Sequence, residues 1–360
     1  MLLKRVKTKK SILIFASTTI VLLCFLGVAL IIAQNEKGKN FRYDKTVGPR
    51  KIFHRVIKQA GLFGTWFSTC SPDREVRIRL PSGFEIPISI YDRGGPHERS
   101  GIVLVHGNTW LGRNLSTYRL LASLLARKGY IVLTFDKVGF GESDDPFGQG
   151  PSAVAAAWNK SGQTNAVFQY LIENTPVDRH DLSIIGHSGG VDQALEVGLA
   201  REDISRIVIM VAPPVRLKDG SEPPNRSAYF SNRFKDTYSF IYGRDVPVWF
   251  NWELTGVKDL DPDYYWKYFR SKGHKPLMVV LGECDNPEGH KYVKHLFNHF
   301  VQPKKLALIK RSDHYLNTAQ SLGLVFYDRA VARQIVDELV SWLDTTRSGG
   351  NTLTPQNPSY

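Results

Sequence analysis

The sequence predicts an α/β fold, a mostly parallel twisted sheet with helices on its faces. Three observations predict it. Short, nearly continuous apolar runs rich in β-branched residues recur between residues 101 and 311, as expected of strands buried on both faces. Segments with apolar residues at helical spacing separate them. Two alternating runs around Pro81-Ser82-Gly83 come before all of these, the signal of a hairpin. A hairpin followed by strand–helix repeats implies a sheet wrapped by helices.

Taken in order, the chain starts with a basic tail over residues 1–10, carrying Lys4, Arg5, Lys7, Lys9 and Lys10. Residues 11–33 follow without a single charge, and these 23 residues are long enough, at about 1.5 Å each, to span a hydrocarbon core of about 30 Å as a helix. A cleaved signal peptide has a shorter apolar region ending in small residues. Here Ile31 stands where a small residue is wanted before a cut after Ala33, and Val21, Leu22 and Leu23 give no small residue ahead of Cys24. A transmembrane anchor is therefore expected. Lys37, Lys39, Arg42 and Lys45 follow the span, so Lys/Arg counts differ little between its ends. The short basic tail favours a cytoplasmic N-terminus and a folded domain outside the cytoplasm.

Charge is unevenly placed. Residues 1–58 hold thirteen Lys/Arg against Glu36 and Asp44, a net +11 of the total +13, which leaves +2 for the rest. Basic residues beside an apolar run suit anionic lipid headgroups. A nucleic-acid partner would need a basic folded domain and is not expected. Residues 34–74 read as a basic juxtamembrane linker with an amphipathic helix over 51–67. Ile52, Phe53, Val56, Ile57 and Ala60 share one face, with Lys51, Arg55, Lys58 and Gln59 mostly elsewhere. Two destinations fit it: the bilayer interface or the side of the folded body. Cys70 and Cys284 are too few for a disulfide framework; two free thiols are the plainer expectation, and a bridge between them the other.

The folded domain is expected over 75–346. After the hairpin, strands are predicted at 101–107, 130–136, 182–188, 206–213, 276–283 and 305–311. Helices are predicted at 116–127, with Tyr118, Leu121, Ala122, Leu125 and Ala126 on one face, and at 154–172, 191–200 and 330–343. Residues 214–275 break the rhythm. A structureless loop of that length is improbable in a compact domain, and the segment is crowded with Tyr, Phe and Trp. It reads as an inserted, mainly helical cap. Residues 347–360 are polar, with Gly, Pro and Asn, and are expected to be disordered.

The strongest chemical signal is Gly186-His187-Ser188-Gly189-Gly190, of the form G-x-S-x-G, between an apolar run and a helical stretch. A strand turning sharply into a helix holds its serine in a strained conformation with the hydroxyl exposed, and the helix N-terminus adds positive potential. Gly186 and Gly190 allow that close turn. His187 is a poor base candidate, because neighbouring side chains diverge at such a turn.

Three further segments carry a resemblance. LVHGNTW places His106-Gly107 after a strand, FDKVGFGES (135–143) has the form D-x-x-G-x-G-x-S, and RSDHYLN places His314 after the last strand. Together with G-x-S-x-G they resemble the α/β-hydrolase superfamily over roughly residues 75–345. The resemblance implies the α/β-hydrolase fold and a serine hydrolase of the esterase or lipase kind. Serine is a weak nucleophile until a base takes its proton; His314 is the expected base, suited by a pKa near neutrality. The acid that orients His314 is expected at Asp285, with Glu283 and Asp219 as alternatives; Asp313 adjoins His314, should point away, and reads as a solvated loop acid. Backbone N–H groups of Gly189 and Asn108 are the expected oxyanion donors. Asp136, Gly139 and Gly141 are assigned to shaping a turn, and Trp110 to either pocket lining or packing.

Serine at the turn argues against epoxide hydrolases and haloalkane dehalogenases, which resemble this fold but carry aspartate there. His290, His295 and His299 have a spacing that suits zinc, but no nearby acid or cysteine strengthens it, so neither metal nor cofactor is expected. The expectation is a membrane-anchored enzyme acting on a small-molecule acyl or ester substrate, lipid-like in view of the anchor and the aromatic cap. Acyl transfer, peptidase activity, or a fold retained for binding without catalysis are the alternatives.

Overall fold

The structure is a computed structural model, which describes residues 46–95, 98–150, 152–153, 157, 159–210, 275–285, 287, 290, 294, 297–298, 300 and 303–347. The apolar run 11–33, the insertion 214–275 except Lys275, Asp219, His295, His299 and the tail after 347 lie outside the described residues. Among the described residues no helix is long and apolar enough to cross a membrane.

Eight strands form one sheet in the order β2-β3-β5-β4-β6-β7-β8-β9. β2 (Arg74–Arg79) and β3 (Glu85–Tyr91) are the antiparallel hairpin, turned at Gly83 with φ 88°. β3 runs antiparallel to β5 (Ile131–Phe135), and β5 is parallel to β4 (Arg99–Val105). β6 (Val177–His187), β7 (Ile204–Met210), β8 (Leu277–Gly282) and β9 (Lys304–Ile309) continue in parallel. The continuous apolar runs have the expected cause: β4, β5, β7 and β8 are buried nearly throughout, because helices cover both faces of the sheet.

On one face α3 (Lys160–Asn174) and α4 (Val191–Ala200) bury Val167, Phe168, Leu171, Ala194 and Leu195 against Val103, Ile184, Ile207 and Val279. On the other α2 (Ser116–Ala126) and α5 (Arg329–Thr345) bury Leu121, Leu125, Ile335 and Leu339 against Leu104, Ile185, Val208 and Met278. Strand alternation sends odd and even neighbours to opposite cores. Truncating any of these leucines or isoleucines to alanine costs about 2–5 kcal/mol.

Two boundaries differ from the sequence expectation. α3 starts at Lys160, because the Asn159 side chain accepts from Gly162 N at 2.8 Å and caps it. The helix expected over 51–67 occupies 49–64 (α1), as Pro49–Lys51, a π-type turn Ile52–Ile57 and Lys58–Gly64. Gly61, at φ 71° and ψ 171°, breaks its last part. Thr65–Ser68 then forms strand β1, whose aromatic residues suit a pleated surface. It pairs antiparallel with β11 (Leu324–Asp328), which also pairs with β10 (Thr318–Ser321). This three-stranded sheet was not foreseen. Ile52 and Val56 pack on Ala319, fixing α1 to it. Cys70 is buried and Cys284 exposed, both as free thiols.

Candidate active site

Ser188, Asn108, Asp285 and His314 all lie beyond the carboxyl ends of parallel strands of one sheet, after β6, β4, β8 and β9. The sheet changes winding direction between β4 and β6, where a crevice opens in folds of this kind.

At the turn from β6 to α4, Ser188 sits at φ 51°, a left-handed conformation that costs a non-glycine residue about 1–2 kcal/mol. Its neighbours show why the flanking positions are glycine. A Cβ on Gly186 would lie 2.5 Å from the Ala194 Cβ and from the Gly190 carbonyl oxygen, and one on Gly190 would collide with the Val105 carbonyl oxygen. The turn is therefore wedged against β4 and the first turn of α4, with Ser188 half-buried above the sheet.

His314 Nε2 lies 3.1 Å from Ser188 Oγ, and its Nδ1 lies 3.0 Å from Asp285 Oδ1. Asp285 is nearly buried and His314 only partly so. Glu283, the competing acid, is occupied elsewhere: its Oε2 accepts from Arg311 N at 2.8 Å. Asp313 points away from the triad, as expected, but it is not a solvated loop acid. Its Oδ1 accepts from Tyr315 N and Asn317 N, and Arg55 of α1 donates to its Oδ2 at 2.5 Å. The Arg55 guanidinium also lies 4.6 Å from the centre of the Tyr315 ring. The loop bearing His314 is thus gripped on both sides of the histidine by one arginine from the N-terminal helix.

Gly189 is in the first turn after the kink, where a backbone N–H has no acceptor within the helix. On the β4 loop, Gly107 N donates to Tyr118 Oη at 2.7 Å, which leaves Asn108 N as the next donor along. The Asn108 side chain closes over Gly189, since a Cβ there would lie 2.8 Å from Asn108 Cγ. Both expected donors therefore border Ser188.

His187 and Tyr118 were not picked out by sequence as a linked pair, and the structure joins them into a relay. Both are fully buried. His187 Nε2 faces the His314 carbonyl oxygen at 2.9 Å and so carries the proton it donates. Burial, with His314 adding to it, pushes the His187 imidazole down to about 3, so the ring is neutral and Nδ1 is an acceptor. Tyr118 O–H donates to that Nδ1 at 3.0 Å and accepts from Gly107 N. The relay ties the Asn108 loop to the His314 loop through α2. The sequence offered only the histidine inside G-x-S-x-G as a hint.

The 136–143 turn, to which Asp136, Gly139 and Gly141 were assigned, is held by buried contacts, and His106 braces it. His106 Nδ1 donates to Gly107 O at 2.6 Å and Nε2 accepts from Lys137 N at 3.0 Å. Burial, then Lys137 nearby, holds it well below the ordinary histidine range. The Asp136 carboxylate pairs with the Arg113 guanidinium, and a Cβ on Gly141 would collide with it. Gly139, at φ 86°, completes the turn, and Trp110, half-buried on the loop after β4, accepts from Gly141 N through its carbonyl oxygen at 3.0 Å. His290 Nε2 lies 2.9 Å from Gly282 O. Among the described residues no group of three His, Cys, Asp or Glu is arranged to hold a metal.

The family described as serine aminopeptidase, S33 (Hydrolase_4), matches residues 96–246. No curated protein matches the sequence. Many solved structures share the fold. DcsB in complex with its substrate analogue has 14% identity and a TM-score of 0.54, over 77% of this chain and 99% of that one. A bromoperoxidase from Bacillus anthracis has 18% identity and a TM-score of 0.51, over 75% and 100%. An esterase from Pyrococcus furiosus has 18% identity and a TM-score of 0.50, over 76% and 93%.

Proposed function

We propose that the chain is an α/β hydrolase, in keeping with the family match and the shared fold, and that it is a membrane-anchored serine hydrolase cleaving a carboxylic ester or similar acyl bond. The observation that carries this is the chain of contacts from Ser188 Oγ through His314 to Asp285, at 3.1 and 3.0 Å, beside a serine held at φ 51°.

Ser188 Oγ attacks the substrate carbonyl carbon while its proton passes to His314 Nε2. Asp285 accepts the Nδ1–H hydrogen bond, holds the tautomer and stabilises the imidazolium. The carbonyl oxygen takes the negative charge and is met by the N–H groups of Gly189 and Asn108, each donor being worth about 100- to 1000-fold in rate. Collapse expels the alcohol, which leaves with the proton from His314. Water, deprotonated by His314, then attacks the acyl-serine, releasing the acid and restoring Ser188. None of these steps calls for a cofactor.

The uncharged run 11–33 supports the anchor, and with the aromatic segment 214–275 it supports an apolar, lipid-like acyl group. Hydrolysis of p-nitrophenyl esters of graded chain length tests this. A preference for long chains, lost by at least about 10,000-fold in Ser188→Ala, is expected; activity confined to acetate would refute the lipid assignment. The matched family's description favours a second reading, cleavage of an N-terminal aminoacyl amide by the same residues. Aminoacyl p-nitroanilides turned over faster than any ester would select it.

A further inference from the structure

Six of the seven exposed large hydrophobic residues among those described belong to one module, α1 with the three-stranded sheet. They are Phe53, Leu62, Phe63, Trp66, Phe67 and Leu322, with Leu62 at 74% and Phe63 at 101% exposure; the seventh, Leu308, is on edge strand β9. Scattered single hydrophobics are ordinary on a surface, but their concentration on one module marks an interaction site. The same stretch is basic without relief. Residues 45–72 contain Lys45, Arg50, Lys51, Arg55 and Lys58 and no Asp or Glu. Arg55 is committed inward to Asp313, while Arg50 and Lys58 are exposed and Lys51 half-exposed. Exposed aromatic and leucine side chains interleaved with Lys and Arg are the pattern of a segment lying in a headgroup layer. A protein partner's dry interface would instead select against lysine.

Geometry brings a bilayer within reach. Twelve residues, 34–45, connect the uncharged run to Thr46. Fully extended they reach no more than about 40 Å, so a chain anchored through 11–33 keeps this module close to the leaflet. We infer that α1 and β1 form a docking face that seats the domain on an anionic leaflet, with Phe53, Leu62, Phe63 and Phe67 entering the interface and Arg50, Lys51 and Lys58 meeting the headgroups. This rests on the membrane-anchored assignment above and extends it, because a tether alone leaves the domain free to rotate. Docking through α1 fixes its orientation, and the same helix holds the His314 loop through Arg55.

The test uses the 360-residue chain with Cys24, Cys70 and Cys284 replaced and a single environment-sensitive fluorophore at Phe63→Cys. A control carries it at Glu173→Cys, exposed on α3 across the large sheet. Both are reconstituted into nanodiscs of phosphatidylcholine with phosphatidylserine. At position 63, nitroxide-bearing lipid is expected to quench the probe, with aqueous iodide several-fold less effective than at 173. A probe at 63 as open to iodide as that at 173, in a chain that has entered the disc, overturns the docking face and leaves the anchor standing. Shielding from iodide without lipid quenching means that protein covers the face, and also overturns it. A chain that does not enter the disc defeats both. In phosphatidylcholine alone, or with Arg50, Lys51 and Lys58 changed to Gln, lipid quenching is expected to weaken; unchanged quenching in both refutes the anionic preference.

Discussion

Tyr118→Phe removes one oxygen and breaks two buried hydrogen bonds. Tyr118 Oη accepts from Gly107 N at 2.7 Å and meets His187 Nδ1 at 3.0 Å, and both side chains are 1% exposed. The substitution leaves a donor and an acceptor buried without partners, each costing about 1–3 kcal/mol, so a total loss of about 2–6 kcal/mol is expected. At about 2–4 °C per kcal/mol for a domain of this size, the melting midpoint should fall by about 4–24 °C. Activity should fall too. Gly107 precedes the proposed oxyanion donor Asn108, and His187 Nε2 donates to the carbonyl oxygen of His314 itself. With both loops loosened, kcat is expected to drop about 10- to 100-fold, within what misplaced catalytic groups lose, with KM less affected. Thermal unfolding and steady-state ester hydrolysis measure the two effects. A midpoint within 1 °C of the parent and an unchanged kcat would refute the relay.

His187 also makes stability depend on pH. Its folded pKa is about 3 against about 6.5 unfolded, so below about pH 6.5 the unfolded chain binds the extra proton and stability rises with pH. Acidification from pH 6.5 should cost about 1.4 kcal/mol per unit through this residue, with His106 adding in the same direction; urea midpoints at several pH values should show the slope, and His187→Gln should flatten it. Asp285→Asn should lower kcat by about 10,000-fold, whereas Glu283→Gln should leave kcat nearly intact because that carboxylate serves Arg311 N; equal losses would misassign the acid. Arg55→Gln should lower kcat several-fold at nearly constant KM, since it frees Asp313 and Tyr315 on either side of His314. A change confined to melting temperature would make that contact merely structural.

Much of the fold was legible because burial on both faces leaves a plain trace. The runs at 101–107, 182–188 and 276–283 are mostly apolar and carry no charge before Glu283, and they became β4, β6 and β8. The turn at Ser188 was legible because glycine is forced on both sides by backbone packed too close for a Cβ. The small sheet was not. β1, β10 and β11 are only four or five residues long, and β1 finds its partner at the far end of the domain, Thr65 opposite Asp328, so local pattern says little about that pairing. Asp285 and Glu283 could not be ranked by geometry from sequence, since both follow one strand end; only their placement separates the one facing His314 from the one capping Arg311. Arg55 read only as one of the polar residues off the apolar face of the 51–67 helix, because nothing local records that Asp313 lies beside it. Tyr118 read as one more apolar position, since its spacing satisfies the core whatever its hydroxyl does.

The central claim, that Ser188 is an activated nucleophile, is tested most directly by a fluorophosphonate probe followed by mass spectrometry of the labelled peptide. One adduct per chain on Ser188, abolished by Ser188→Ala and slowed strongly by His314→Ala, is the expected result. Folded protein that takes no label, or that is labelled at another residue with Ser188 unmodified, would contradict it.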